Sequence, residues 1–173
     1  MLSCVFLILA TALLDSCFFK VVASQETQCY TFISHHSSCP ESWHHWGDSC
    51  YRITESNVPW FKARDECGKL DGVLAAPSSS QENNVILDLI ENNEEVWIDC
   101  NDLEVEGTWE CREGNVEVSY RNWGEGEPNN YLEKEHCALI SKMYGNRRQW
   151  LDGTCNVKYS AVCKLPRKPI LHV

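Results

Sequence analysis

Eleven cysteines among 173 residues constrain this chain more than any other feature. Such a density serves no purpose where thiols are kept reduced, and no two cysteines show the Cys-x-x-Cys spacing of zinc or dithiol redox sites. The expected product is therefore a disulfide-stapled fold in an oxidising compartment. Charge narrows the partners. Fifteen Lys and Arg stand against 25 Asp and Glu, a net charge of -10, which is the wrong sign for gripping phosphates, so nucleic acid is not an expected partner. With 43% hydrophobic residues, the chain can pack one globular domain, which excludes disordered and collagen-like readings.

The first residues account for the compartment. Met1 to Leu14 is an apolar run of signal-peptide length, and Val21-Val22-Ala23 offers small or aliphatic residues for cleavage. Residues 1–23 are read as a secretory signal. An uncleaved membrane anchor is the weaker reading, because Asp15 and Lys20 interrupt the run and an Asp near the centre of a spanning helix costs about 2.5–3.5 kcal/mol. The mature chain is expected to be secreted, without membrane insertion. Cleavage removes Cys4 and Cys17 and leaves Cys29, Cys39, Cys50, Cys67, Cys100, Cys111, Cys137, Cys155 and Cys163. An odd set of this size can be paired in about 900 ways with one left out. Counting alone assigns no bridge.

Residues 24–38 are polar and patternless, a tail carrying Cys29. The packed domain is placed at 39–165, with 166–173 as a C-terminal tail. Pro59 opens a helical stripe of Trp60, Ala63, Cys67 and Leu70 that Asp71-Gly72 closes. Ser79-x-x-Glu82 reads as a capping box before Val85, Ile86, Leu89 and Ile90, with Asn92-Asn93 as the stop. Beyond Glu95 the pattern turns to short strands: Val96-Trp97-Ile98, Gly107-Thr108-Trp109, Val116 to Tyr120, Ala138-Leu139-Ile140 and Ser160-Ala161-Val162. Asn122 to Asn130 holds too much Gly, Pro and Asn for a regular element and is read as a loop.

That loop is dense in oxygen donors. Glu127, Asn129, Glu135 and Asp152, expected on two loops, supply carboxylates and an amide without a thiolate or imidazole pattern, which suits calcium and its roughly 6–8 oxygen ligands. Asp102 and Glu106 form a second acidic set.

The order of motifs resembles the C-type lectin domain family from about Cys39 to Lys164. The resemblance is carried by Cys39-Pro-Glu-Ser-Trp43, Cys50-Tyr51, Cys67, Trp97-Ile98 and Glu106-Gly107-Thr108-Trp109. It continues through Trp123, Glu127-Pro128-Asn129, Glu135-x-Cys137, Trp150-x-Asp152, Cys155 and Cys163. It implies an α+β fold in which two helices pack on antiparallel sheets beside a long irregular ligand-binding loop. It also implies the bridges Cys39–Cys50, Cys67–Cys163 and Cys137–Cys155; Cys100 and Cys111, flanking an apparent hairpin, are paired by proximity. Cys29 is left over, either for an interchain disulfide in a homo-oligomer or, if cleavage falls upstream of Cys17, for a partner within the chain.

In mannose-type members of that family, calcium is held by the Glu and Asn of a Glu-Pro-Asn motif, a later Glu and an Asn-Asp pair, and vicinal sugar hydroxyls complete the shell. Carried over, the residues for both the ion and the carbohydrate are Glu127, Asn129, Glu135 and Asp152, with a cis Pro128. The resemblance thus implies a Ca2+-dependent binder of glycans with equatorial 3- and 4-hydroxyls, such as mannose, fucose or N-acetylglucosamine, in microbial or cell-surface recognition. One position departs: Leu151 stands where the family has Asn, and its side chain has no oxygen to offer. An auxiliary calcium position would map to Asp102, Glu106, Asn130 and Glu135, with His136 where an acidic residue is common.

The remaining motifs read as structure. Adjacent histidines on a strand point to opposite faces, so His35-His36 and His44-His45 cannot chelate as pairs and are expected at the surface. Trp43, Trp97, Trp109 and Trp150 are assigned to packing, whereas Tyr131 beside the loop motif is a candidate for stacking on a sugar. Neither H-E-x-x-H nor G-x-S-x-G occurs, and an enzyme is not expected. The rival function is a lectin-like domain that recognises a protein, ice or mineral surface, which Leu151 and the acidic charge favour.

Overall fold

The computed structural model describes residues 39–91, 94–142 and 149–166. The expected leader, the tail with Cys29, His35 and His36, the Asn92-Asn93 stop and the C-terminal Arg167 and Lys168 lie outside the described residues. Among the described residues, no helix is long and apolar enough to cross a membrane.

The elements run β1 (His44–Trp46), β2 (Ser49–Ile53), α1 (Trp60–Gly68), β3 (Val73–Leu74), α2 (Ser80–Leu89), β4 (Glu95–Asn101), β5 (Glu110–Glu113), β6 (Val116–Glu117), a short 3-10 turn (Tyr131–Glu133), β7 (Cys137–Ser141), β8 (Gln149–Gly153) and β9 (Ser160–Pro166). The last strand organises the sheet: β9 is antiparallel to β2 and to β3 and parallel to β4. From β4, antiparallel pairing leads to β5 and to β7, and β7 pairs with β8. The sheet is therefore mixed, which corrects the expectation of antiparallel sheets. Alternation of apolar residues reports which faces are buried but carries no record of strand direction, so the β4–β9 pairing was invisible to it.

One expected strand is absent and another, from Val116, is shorter than expected. Gly107 sits at φ +76° in a turn closed by Thr108 N–H on the Val105 carbonyl, so Gly107-Thr108-Trp109 is not a strand and β5 starts at Glu110. β6 ends at Glu117; Val118 N–H still donates to the Cys111 carbonyl at 2.9 Å, and beyond it the Arg121 guanidinium donates to the carbonyls of Val118, Tyr120 and Trp109.

Strand β4 is buried on both faces. Val96, Ile98 and Cys100 face one apolar cluster with Ile86, Leu87, Ile90, Ile140, Trp150 and Val162. Trp97, at the alternate position, joins Trp60, Ala63, Leu74, Leu139 and Ala161 in a second cluster beneath α1. The α1 stripe is as the spacing predicts, with Trp60, Ala63 and Cys67 buried.

Only half of the capping box forms on α2. Ser79 Oγ accepts from Glu82 N–H, but the Glu82 carboxylate accepts from the backbone and hydroxyl of Ser78, from Tyr51 O–H at 2.7 Å and from Lys164 Nζ at 2.9 Å. Burial alone would push the Glu82 carboxyl up; the hydrogen bonds from Lys164, Ser78 and Tyr51 outweigh it and hold the group below its ordinary value. Lys164 also reaches Glu113 at 2.6 Å, so one buried cation ties α2, β5 and β9 together.

The bridges are Cys39–Cys50, Cys67–Cys163, Cys100–Cys111 and Cys137–Cys155. These are the pairs drawn from the resemblance and from proximity. Cys100 and Cys111 are direct cross-strand partners on β4 and β5.

Candidate functional site

The loop from Asn122 to Glu135 is irregular but its base is held. Trp150 N–H donates to the Asn122 carbonyl at 2.8 Å and Gly124 N–H donates to the Trp150 carbonyl at 2.9 Å, fixing the loop entry on β8. Trp150 is fully buried, donates its indole N–H to Asn83 Oδ1 at 2.7 Å, and meets the Trp123 ring edge to face at 5.7 Å. Trp123 in turn meets Trp109 at 4.5 Å. The loop thus rests on an aromatic ladder that extends into the core, and rings packed in this way add about 0.5–1.5 kcal/mol per pair beyond their buried area.

On this base the oxygen donors are tied to the loop by hydrogen bonds. The Glu127–Pro128 peptide is cis, and Asn129 Nδ2 donates to Glu127 Oε2 at 2.6 Å. Asp152, buried on β8, accepts from the backbone N–H groups of Asn129 at 3.0 Å and Asn130 at 2.7 Å. Glu135 Oε2 accepts from Tyr131 N–H at 3.1 Å, and Glu135 N–H donates to Asn130 Oδ1 at 3.1 Å. Asn130 takes a left-handed conformation at φ +43°, which Asn tolerates better than most side chains. The four residues assigned by resemblance are therefore joined through one loop and the adjoining strand.

Their electrostatics record the crowding. Partial burial first, then the Asp152 carboxylate beside it and the charge of Glu135, push the Glu127 carboxyl up to about 7. Glu135 is likewise raised, by burial and by Asp152, against the opposing hydrogen bond from Tyr131. Carboxylates placed so that each resists ionisation of its neighbour suit a multivalent cation, whose charge reverses the penalty. The donor set, three carboxylates and an amide oxygen, is that of a hard ion.

The second acidic set divides. Asp102 is buried and Glu106 exposed, and both carboxylates lie at His136 Nδ1, each at 3.1 Å. Asn130 and Glu135, assigned to the same auxiliary position, are instead engaged with each other in the loop. Residue order marks His136 only as a departure from the family pattern; that its ring faces two carboxylates is decided by the fold.

Leu151 is half-buried and packs against the cluster under α1, opposite Leu139 on β7. Replacing Leu151 by Asn exchanges that packing for an amide oxygen. The L151N protein is expected to lose about 1–3 kcal/mol without calcium and to bind calcium more tightly, measured by urea unfolding and calorimetry in parallel. Unchanged calcium affinity would remove position 151 from the ligand set.

Trp97 and Trp150 are fully buried, Trp43 and Trp109 half-buried, and His44 and His45 exposed. Tyr131 and Leu132, 67% and 66% exposed, flank the oxygen cluster.

The fold is shared with known proteins. Residues 56–165 match the family model for the lectin C-type domain. The chain is 32% identical over 131 residues to the galactose-specific lectin nattectin of Thalassophryne nattereri, covering 73% of this chain and 80% of nattectin. It is 32% identical over 146 residues to the low affinity immunoglobulin epsilon Fc receptor of Mus musculus, covering 84% of this chain but only 40% of the receptor. Among solved structures, the mouse scavenger receptor C-type lectin carbohydrate-recognition domain aligns with a TM-score of 0.68 at 27% identity, over 76% of this chain and 100% of that domain. A calcium-independent type II antifreeze protein aligns with a TM-score of 0.67 at 27% identity, over 78% of this chain and 99% of the other.

Proposed function

Because the chain belongs to the C-type lectin domain family, we propose that it is a secreted, calcium-dependent carbohydrate-binding protein with mannose-type preference, acting in glycan or microbial recognition. What supports this reading is the hydrogen bonding that ties Glu127, Asn129, Glu135 and Asp152 to one loop and the strand beside it. Glu127, Asn129, Glu135 and Asp152 would hold the calcium. Bound there, the ion would supply a site for two vicinal sugar hydroxyls.

The protein's own groups would then read the sugar. Each hydroxyl oxygen accepts from an amide N–H and donates its proton to a carboxylate. Glu127 offers an acceptor and Asn129 a donor at one end of the site, a pairing suited to the equatorial 3- and 4-hydroxyls of mannose-like sugars. Asp152 keeps the loop backbone in place through Asn129 and Asn130, so that both side chains are positioned before ligand arrives.

Protons should compete with calcium. A carboxyl that titrates near 7 in the ion-free protein carries a proton below that pH and must lose it to coordinate. Calcium affinity is expected to fall as pH drops from 7.5 to 5.5. The stability of the ion-free protein should run the other way. Because the folded-state value of Glu127 lies above its unfolded value, its contribution favours folding at low pH and is lost as pH rises through about 7. Isothermal titration and thermal melts in EDTA across this range test both signs, and a calcium affinity flat across it would contradict the Glu127 assignment.

The experiment that tests the function is retention of the disulfide-intact protein on immobilised mannose in millimolar calcium, followed by EDTA elution. E127Q/N129D, which exchanges the acid and amide of the pair, should move retention from mannose toward galactose. Flow-through on mannose and on a broad glycan array would overturn the reading. It would favour a lectin-like domain for a protein, ice or mineral surface, a class to which the antifreeze relative belongs by its name.

A further inference from the structure

We propose that Asp102, Glu106 and His136 form a zinc site, separate from the oxygen cluster of Glu127, Asn129, Glu135 and Asp152. One ligand atom from each of the three residues lies within 4.8 Å of the other two. His136 Nδ1 is 3.1 Å from Asp102 Oδ1 and 3.1 Å from Glu106 Oε2. A tetrahedral zinc with bonds of about 2.0–2.1 Å separates its ligand atoms by about 3.3–3.4 Å. The two distances from the imidazole nitrogen therefore need to open only slightly to admit the ion.

The donors are held in place from outside the triad. Asp102 has its side chain 1% exposed, and its second oxygen, Oδ2, accepts from Gly107 N–H at 2.8 Å. That hydrogen bond fixes the carboxylate plane and turns Oδ1 toward His136, as outer hydrogen bonds do for metal-bound carboxylates. The backbone brings the imidazole to it: Asp102 N–H donates to the His136 carbonyl at 3.2 Å, and His136 N–H donates to the Gly153 carbonyl at 3.2 Å. Glu106, with its side chain 55% exposed, leaves one side open to solvent for ion entry and for a water as the fourth ligand.

The chemistry of the set selects the metal. Calcium takes about 6–8 oxygens at about 2.3–2.6 Å, and an imidazole with two carboxylates supplies neither that number nor an all-oxygen, hard donor set. One nitrogen and two carboxylate oxygens with an open position match zinc. Zinc here would fix the start of β7 through His136 at the exit of the ligand loop, one residue after Glu135.

The test is zinc titration of the full disulfide-intact chain by calorimetry in saturating calcium, with cobalt(II) as a spectroscopic probe. The full chain should show one His136-dependent zinc equivalent and the visible d–d bands of a four-coordinate cobalt centre. H136Q should weaken that equivalent at least about 100-fold and abolish the bands. E106Q changes an exposed side chain and leaves the imidazole intact; it should weaken zinc about 10–100-fold, and it carries the test should H136Q fail to fold. Zinc binding equal in the full chain and in both variants would overturn the proposal, as would stoichiometric displacement of zinc by millimolar calcium. D152N, which removes a member of the oxygen cluster, should leave the zinc equivalent in place, so failure of the calcium reading and failure of this one are distinguishable.

Discussion

Replacing Cys67 and Cys163 together by alanine is expected to lower stability by at least about 4–5 kcal/mol, the loop-closure contribution and the largest of any single disulfide in the domain. The bridge spans a sequence separation of 96 and joins α1 to β9 at a Cα–Cα distance of 5.2 Å. In the chain-entropy account, opening a loop of that length returns much more freedom to the unfolded chain than opening Cys100–Cys111, whose separation is 11 and whose loss is expected to cost about 3 kcal/mol. The loss should be larger still because both sulfurs are fully buried and alanine leaves a void under α1. Urea unfolding of the two double variants tests the order. Equal losses would show that strain or residual unfolded structure, rather than loop closure, sets the contribution of these bridges.

The second large effect is expected from D152N. The buried Asp152 carboxylate accepts two backbone N–H bonds, from Asn129 and Asn130, and hydrogen bonds to a charged acceptor contribute about 1.5–3 kcal/mol each. Asparagine keeps one acceptor oxygen and turns an N–H toward the other donor, so the loop loses a tie as well as a charge. In the ion-free protein, part of this cost is offset because one member of a crowded carboxylate set has been neutralised. With calcium there is no offset. A hundredfold excess over Kd stabilises the native state by about 2.7 kcal/mol, about 10 °C in Tm for a domain of this size. That calcium-induced rise should be present in the parent and absent in D152N, together with retention on mannose. A D152N protein that keeps the full calcium-dependent shift would place the ion elsewhere.

Much of the scaffold is legible in the sequence. The α1 stripe, the Ser79 cap, the β4 core strand and the loop around Glu127-Pro128-Asn129 follow from spacing and residue type, because burial on one face of a helix or strand leaves a periodic mark. β1, β2, β3 and β8 were not read as strands. Two of them are too short for a period to show, and the Trp150-Leu151-Asp152 stretch of β8 carries ligand chemistry that masks its alternation. The capping role expected of Glu82 was half right for a related reason: its side chain is claimed by Tyr51, Ser78 and Lys164, contacts made across distances in sequence that no local motif encodes.

The candidate site divides along the same line. Residue order points to Glu127, Asn129, Glu135 and Asp152 through the resemblance, in which a short motif, a following Glu and a later Asp recur as a set. It was silent on how they are held, since the support comes from Trp150, Asn83 and Trp123, each remote in the chain or unremarkable in type. The auxiliary set was drawn from matching positions, yet the fold engages Asn130 with Glu135 and brings His136 to Asp102 and Glu106. By itself, the sequence determined the cysteine-rich character of the domain, the two helices, the irregular loop and the oxygen donors on it, all of which rest on composition and local order. Only the tertiary structure decided the parallel β4–β9 pairing, the buried Glu82–Lys164 tie and the imidazole between two carboxylates, because each depends on which distant residues meet when the chain closes on itself.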